Sequence, residues 1–176
     1  RLPTGMRINR VTSQLDLNAT MLDLAGAPPL PSSSGRSLLP VIDNPESDHW
    51  QDIAYSEYCT EPGDASHSNG DQAWQHRMVR KGEWKLNYYH NMPSQLFNLA
   101  NDPDEMNDLS GSTEHADILR DMTELVLKDW EPQFIESKIR EQTENLAITI
   151  PWAENTSPAD TIRWDLKSEW DYLDET

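Results

Sequence analysis

The sequence predicts an α+β fold, a small antiparallel sheet packed by a long C-terminal helix. Two observations carry that prediction. Between Asp52 and Phe97, apolar residues come in short alternating runs separated by turn residues, the period of half-buried strands. From Ser112 the period changes to helical, with Ile118, Leu119, Met122, Leu125, Val126 and Trp130 on a single stripe. Strands grouped before helices, rather than alternating with them, argue for an antiparallel sheet.

In chain order, Val11 to Gly26 reads as a short lead-in strand followed by a helix. Ser13 caps that helix, with the acid Asp16 three residues on. Leu15, Ala19, Leu22 and Ala25 share a face, and Gly26 stops the helix at C′. Pro28, Pro29 and Pro31 with Ser32, Ser33 and Ser34 make a non-helical loop, and order resumes for one turn at Gly35–Pro40. Strands are expected at Ile53–Tyr58, Arg77–Arg80, Trp84–Tyr88 and Gln95–Phe97, the middle two joined as a hairpin about Lys81-Gly82-Glu83. Thr60 to Trp74 is a polar loop of a length uncommon unless functional or disordered. The longest C-terminal helix is expected near Thr113–Trp130. Pro132 ends it and opens a second helix with a narrower stripe of Phe134, Ile135, Ile139 and Leu146. Thr149–Ser157, which contains Pro151, is expected to break that helix. Ala159–Thr176 is then an acidic tail holding Trp164, Trp170 and Tyr172.

The chain has 176 residues and a formal charge of −17, from 14 Lys and Arg against 31 Asp and Glu. Such a surface repels phosphate backbones and anionic lipid, which argues against nucleic-acid and membrane partners. No apolar run is long enough to span a bilayer. Hydrophobic residues make up 36% of the chain, thin beside the roughly 45–50% of ordinary domains. That fits a piece whose apolar faces rest partly on a neighbour. The chain opens at Arg1, and so is expected to derive from a longer product. Cys59 is the sole cysteine, so no internal disulfide forms.

Three segments, in order, resemble the type I sulfatases. The first is Val11-Thr12-Ser13-Gln14-Leu15-Asp16-Leu17-Asn18-Ala19-Thr20-Met21-Leu22-Asp23-Leu24-Ala25-Gly26 with Gly35-Arg36-Ser37-Leu38-Leu39-Pro40, similar to "V-S-x-x-D-L-x-x-T-x-L-x-L-A-G … G-x-S-L-x-P". The second is Met78-Val79-Arg80-Lys81-Gly82-Glu83-Trp84-Lys85-Leu86, similar to "M-x-R-x-G-x-x-K-x-I". The third is Leu96-Phe97-Asn98-Leu99-Ala100-Asn101-Asp102-Pro103-Asp104-Glu105-Met106-Asn107-Asp108-Leu109, similar to "L-F-D-L-x-x-D-P-x-E-x-x-N-L" near the family's C-terminus. Tyr55-Ser56-Glu57-Tyr58 and Met78-Val79-Arg80 lean toward choline-sulfatase-like or arylsulfatase members.

The resemblance implies the C-terminal subdomain of an alkaline-phosphatase-like sulfatase. Residues 1–50 would end the N-terminal catalytic domain, 51–148 would form the sheet and helices, and 149–176 the tail. It also implies a parent enzyme that cleaves a sulfate monoester with a formylglycine nucleophile and calcium. Neither catalytic nor metal-ligand motifs occur in this chain. Cys59 is followed by Thr60-Glu61-Pro62 with no Arg in register, and Asp48-His49-Trp50 lacks the glycine of "S-D-H-G". The chain alone is therefore expected to be inactive.

Its expected contribution is one wall of the pocket for a small-molecule or glycan sulfate ester, from His67, Asn69 and His76 on or beside the long loop. Arg80 and Lys85 face each other across the hairpin. They read either as a sulfate-holding pair or, for Arg80, as an ion-pair partner of Glu57 or Asp102. Trp74, Trp84, Tyr88 and Tyr89 read as sheet packing in preference to an aromatic wall. Trp164, Trp170 and Tyr172 are expected to anchor the tail on the N-terminal catalytic domain or on a second subunit of a homo-oligomer. Two alternatives stand beside this reading: a phosphonate or phosphate monoester hydrolase of the same superfamily, and a non-catalytic acidic interaction module.

Overall fold

The structure is a computed structural model and describes residues 3–60 and 74–156. At its centre is a four-stranded antiparallel sheet of β1 (Ile53–Cys59), β2 (Gln75–Lys81), β3 (Trp84–Tyr89) and β4 (Gln95–Asn98), in that spatial order. Around it lie α1 (Gln14–Leu24), α2 (Leu39–Asp43), α3 (Ala116–Leu127), preceded by one 3₁₀ turn at Thr113–His115, and α4 (Pro132–Thr156).

The register explains the core. Val79, Leu86 and Leu96 are paired across β2, β3 and β4, so all three point to one face, and each has no exposed surface. Met122 and Val126, one helical turn apart on α3, cover them. The stripe read from the sequence is therefore the sheet-facing side of α3. The hairpin closes through Gly82, whose φ of +56° suits a residue without Cβ. Arg77 fastens the C-terminal end of α3. Its Nη1 donates to the carbonyls of Val126 (2.8 Å) and Lys128 (3.1 Å), groups that a helix end leaves without intrahelical partners. Its guanidinium also lies over the Tyr55 ring, 4.5 Å from the centroid.

Four expectations are corrected. Val11 is not in a strand. Its N–H donates to Asp52 Oδ1 (2.9 Å) and its carbonyl accepts from Trp50 Nε1 (3.0 Å), so side chains take up both backbone groups. The face of α1 that is buried is polar: Asp16 and Thr20 are enclosed, whereas Leu15, Leu17, Met21 and Leu24 are each more than half exposed. The longest helix is α4, not the Thr113–Trp130 segment, although it is α3 that packs on the sheet. Finally, α4 runs through Pro151 to Thr156, crossing the expected break. On either side of the proline, side chains bond the helix's own carbonyls: Thr149 to Asn145, Asn155 to Pro151 and Thr156 to Trp152. His67, Asn69, Trp164, Trp170 and Tyr172 lie outside the described residues.

Leu86→Ala should cost about 2–5 kcal/mol, as for other buried leucines. Glu124→Ala, on the exposed side of α3, should change stability by less than about 0.5 kcal/mol. Urea midpoints of the two variants measure the difference, and equal midpoints would mean that α3 covers the sheet with another face.

Candidate functional site

The motif residues come first, because the fold brings them into contact with one another. Asp16 is 2% exposed; its Oδ2 accepts the N–H of Ser13 (2.8 Å) and its Oδ1 the N–H of Arg36 (2.8 Å). Thr20 donates its hydroxyl to the Asp16 carbonyl (2.6 Å) and accepts the N–H of Leu38 (2.8 Å). The capping role expected of Asp16 is present, and the same carboxylate also ties down the 35–38 segment. That segment passes so close to α1 that a Cβ on Gly35 would lie 2.2 Å from the Leu15 carbonyl oxygen. Only glycine fits there.

Lys85 and Glu105 form a second clasp, Nζ to both carboxylate oxygens at 2.7 Å. In the third segment, Asn98 Oδ1 accepts from Ala100 and Asn101, and Asp102 accepts from Met106 and Asn107. Asp108 Oδ1 accepts from Leu96 (3.1 Å) and Ser110 (2.9 Å). Burial would raise the Asp108 carboxyl, but bonds from Ser110 and Leu96 outweigh it and hold the group below its ordinary value. These residues fold the 98–109 loop back onto β4, where the Leu109 N–H donates to the Leu96 carbonyl (2.8 Å).

The expected cationic pair is not a free anion site. Arg80 and Lys85 do face each other in register, but Lys85 is bound to Glu105 and Arg80 Nε donates to the Gly82 carbonyl (3.1 Å). The partner of Glu57 is Arg77, at 3.0 Å, because Arg77 and not Arg80 is its register neighbour. Asp102 is engaged with backbone N–H groups. Trp84 packs against His115 (5.4 Å) and Tyr88 meets Trp130 edge-on (5.9 Å), as sheet packing requires. Burial, helped by Glu57, raises the Cys59 thiol and keeps it protonated. No group of three or more His, Cys, Asp or Glu side chains that could hold a metal occurs among the described residues.

His76 stands apart. It sits at the end of the sheet where the 61–73 segment leaves and returns. The base of that segment is pinned by Thr60 and Trp74, through the Thr60 N–H to the Trp74 carbonyl (2.9 Å) and the Trp74 N–H to Thr60 Oγ1 (3.0 Å). Tyr58, His76 and Tyr89 form one rung across β1, β2 and β3. The imidazole stacks on Tyr89 with centroids 4.5 Å apart and planes 14° apart, and Tyr89 donates to Gln95 Oε1 (3.2 Å). His76 Nε2 is buried without a hydrogen-bond partner. Burial lowers the imidazole below its ordinary value, Asn87 opposes the shift and Lys85 adds to it, so the ring is neutral near pH 7. Gln75 Oε1 and His90 Nδ1, at the same end of the sheet, are likewise buried and unpaired. Sequence reasoning passed over Gln75 as a site residue and found no metal-ligand spacing at His90. Their signal is position: they close the strand ends that border the long loop.

A family model described as N-sulphoglucosamine sulphohydrolase, C-terminal, matches residues 1–131. Arylsulfatase K of Danio rerio is 32% identical over 130 residues, which is 70% of this chain and 23% of that protein. A solved structure of a protein in complex with its substrate D-glucosamine-2-N,6-O-disulfate is 25% identical with a TM-score of 0.52, covering 65% of this chain and 23% of that one. Phosphonate monoester hydrolase of Agrobacterium radiobacter has a TM-score of 0.57 over 70% of this chain and 26% of its own; at 23% identity the likeness is one of fold. The chain spans less than a quarter of the length of the curated relatives it matches.

The Asp108 environment predicts acid sensitivity with a definite sign. Its folded-state carboxyl titrates below the unfolded value of ~3.9, so its contribution is complete above that value and is lost as pH falls through the folded one. Asp108→Asn keeps an acceptor oxygen at the same place but cannot titrate. Between pH 6 and pH 3 its urea midpoint should fall less than that of the wild type; parallel loss in both would remove Asp108 from the account.

Proposed function

The chain belongs to the N-sulphoglucosamine sulphohydrolase C-terminal family, and from that premise we propose that the protein carrying it hydrolyses a sulfate ester to the alcohol and sulfate. In this reading the chain completes the core and forms one wall of the substrate pocket. The observation that carries the wall is His76: a neutral ring stacked on Tyr89 beside the pinned base of a long loop. A neutral imidazole has one nitrogen that donates and one that accepts, which suits a hydrogen bond with a sugar hydroxyl or to a sulfate oxygen, and Tyr58 and Tyr89 lie on the same rung beside it. The substrate class proposed is a sulfated sugar, supported by the amino-sugar disulfate bound in the structural relative. His67 and Asn69 are proposed to add contacts from the loop.

The nucleophile and metal are assigned to the portion of the relatives that this chain does not span. When bound in the complete enzyme, calcium and formylglycine would supply Lewis acidity and a nucleophile. The exposed Leu17, Met21 and Leu24, which share one side of α1 at four- and three-residue spacing, are proposed to seat that catalytic portion. Trp164, Trp170 and Tyr172 are proposed to dock the tail on the same portion or on a second subunit. Phosphonate ester hydrolysis remains the second reading, favoured by the fold likeness alone.

Two measurements test this. The purified 176-residue chain should show no turnover of an aryl sulfate or a glucosamine sulfate, and turnover above buffer background would overturn the division of labour. In the complete enzyme, His76→Ala should lower kcat/KM for a sulfated sugar by about 10-fold or more, the order of one lost polar contact, with an unchanged melting temperature. Wild-type kinetics would exclude His76 from the pocket, and a preference for phosphonate over sulfate esters in the parent enzyme would select the second reading.

A further inference from the structure

The face of the sheet turned away from α3 is polar, and its side chains are arranged around one ring. Val79, Leu86 and Leu96 point to α3, so their strand neighbours of opposite parity, His76, Lys85, Asn87, Tyr89 and Gln95, share the outer face. Tyr89 is the last residue of β3 and Gln95 the first of β4. The bond from the Tyr89 hydroxyl to Gln95 Oε1 (3.2 Å) therefore closes the base of the 90–94 connection. Burial, with Glu105 adding to it, raises the Tyr89 phenol, so the hydroxyl keeps its proton and its donor role near neutral pH. The flat side of the same ring lies on the His76 imidazole, with centroids 4.5 Å apart and planes 14° apart. One side chain thus has its polar tip tied to β4 and its aromatic face laid on a histidine of β2.

An imidazole turns about two side-chain bonds, and rotation about the second is only broadly confined. A directional hydrogen bond to a substrate needs that rotation stopped beforehand, because freedom lost on binding subtracts from affinity and rate. A near-parallel stack stops it, since turning the imidazole drives its edge into the phenol ring. The buried Asn87 bonds the imidazole as well. Among the described residues, the charged groups bearing on the pair are Lys85, on the imidazole, and Glu105, on the phenol, and these two are bound to each other. Tyr58 is the neighbour on β1.

We propose that Tyr89 is a positioning residue for His76, with Gln95 holding Tyr89 in place. This rests on the reading of His76 as a contact to the sulfated sugar. Tyr89 acts through the imidazole alone: the stack fixes the ring plane, and the bond to Gln95 keeps the phenol from swinging away. The same stack takes one face of the imidazole out of water, and burial is the first cause of its lowered titration.

Kinetics of the complete enzyme on a glucosamine sulfate test the hold. Tyr89→Leu should lower kcat/KM about 5-fold, and by no more than His76→Ala does, because it acts only through that ring. Tyr89→Phe keeps the stack but loses the bond to Gln95. It and Gln95→Met should each lower kcat/KM about 2-fold, and the two combined no further. In a His76→Ala background all three changes should be silent. A second readout needs no substrate. In NMR of the 176-residue chain, the His76 ring signal, identified by its loss in His76→Ala, should titrate below the ordinary ~6.5. It should move up toward that value in Tyr89→Leu and stay near the wild-type position in Tyr89→Phe. The proposal falls if Tyr89→Leu has wild-type kinetics while His76→Ala is impaired, if it costs as much without His76 as with it, or if the His76 titration does not move. Should Tyr89→Leu fail to fold, wild-type kcat/KM in both Tyr89→Phe and Gln95→Met overturns the proposal. Wild-type kinetics in His76→Ala itself would overturn the substrate reading, and the proposal with it.

Discussion

Everything else in this structure hangs on the contact between α3 and one face of the sheet. A four-stranded antiparallel sheet is not stable as a bare layer; it needs one face taken out of water. Here the register sets Val79, Leu86 and Leu96 side by side, and Met122 with Val126 closes over them. Arg77 locks that lid by holding the last carbonyls of α3, so a polar side chain from the sheet defines where the helix stops. The loops on the remaining sides are hung from this unit by hydrogen bonds.

Those hydrogen bonds explain why the most recognisable parts of the sequence carry no chemistry. Asp16 and Thr20 of the first segment hold the backbone of Arg36 and Leu38, and Gly35 is small because the chain passes against Leu15. Lys85 of the second segment binds Glu105 of the third. Asn98, Asp102 and Asp108 each satisfy backbone N–H groups in a loop with no ladder of its own. Patterns of this kind mark a family because backbone groups near a core must find partners, and only certain side chains at certain distances supply them. Buried side-chain atoms without a hydrogen-bond partner, among them those of Gln75, His76, His90 and Trp130, lie outside the recognised segments or at their borders.

The surface is divided in a comparable way. Acidic residues dominate overall, and the apolar exceptions are concentrated on α1 and on the second half of α4. The α1 face belongs to the part of the chain shared with the sulfatases, whereas α4 lies beyond it.

The strands, the hairpin turn and the core stripe of α3 were legible in the sequence, because periodicity is local and Gly82 and the Asp-Pro turn punctuate it. The family was legible for a related reason: its motifs are contiguous, even though their residues bond partners far along the chain. Three things depended on the tertiary structure. The buried face of α1 is the polar one, since the fixed position of the 35–38 segment rewards Asp16 and Thr20 more than burial of leucines would. Arg77 rather than Arg80 meets Glu57, because register and not nearness in sequence decides cross-strand partners. Of the proposed site residues, only His76 lies among the described residues, and that its Nε2 is buried without a hydrogen-bond partner depends on the packed sheet. Local pattern writes the elements; which polar groups find partners is settled when distant segments meet.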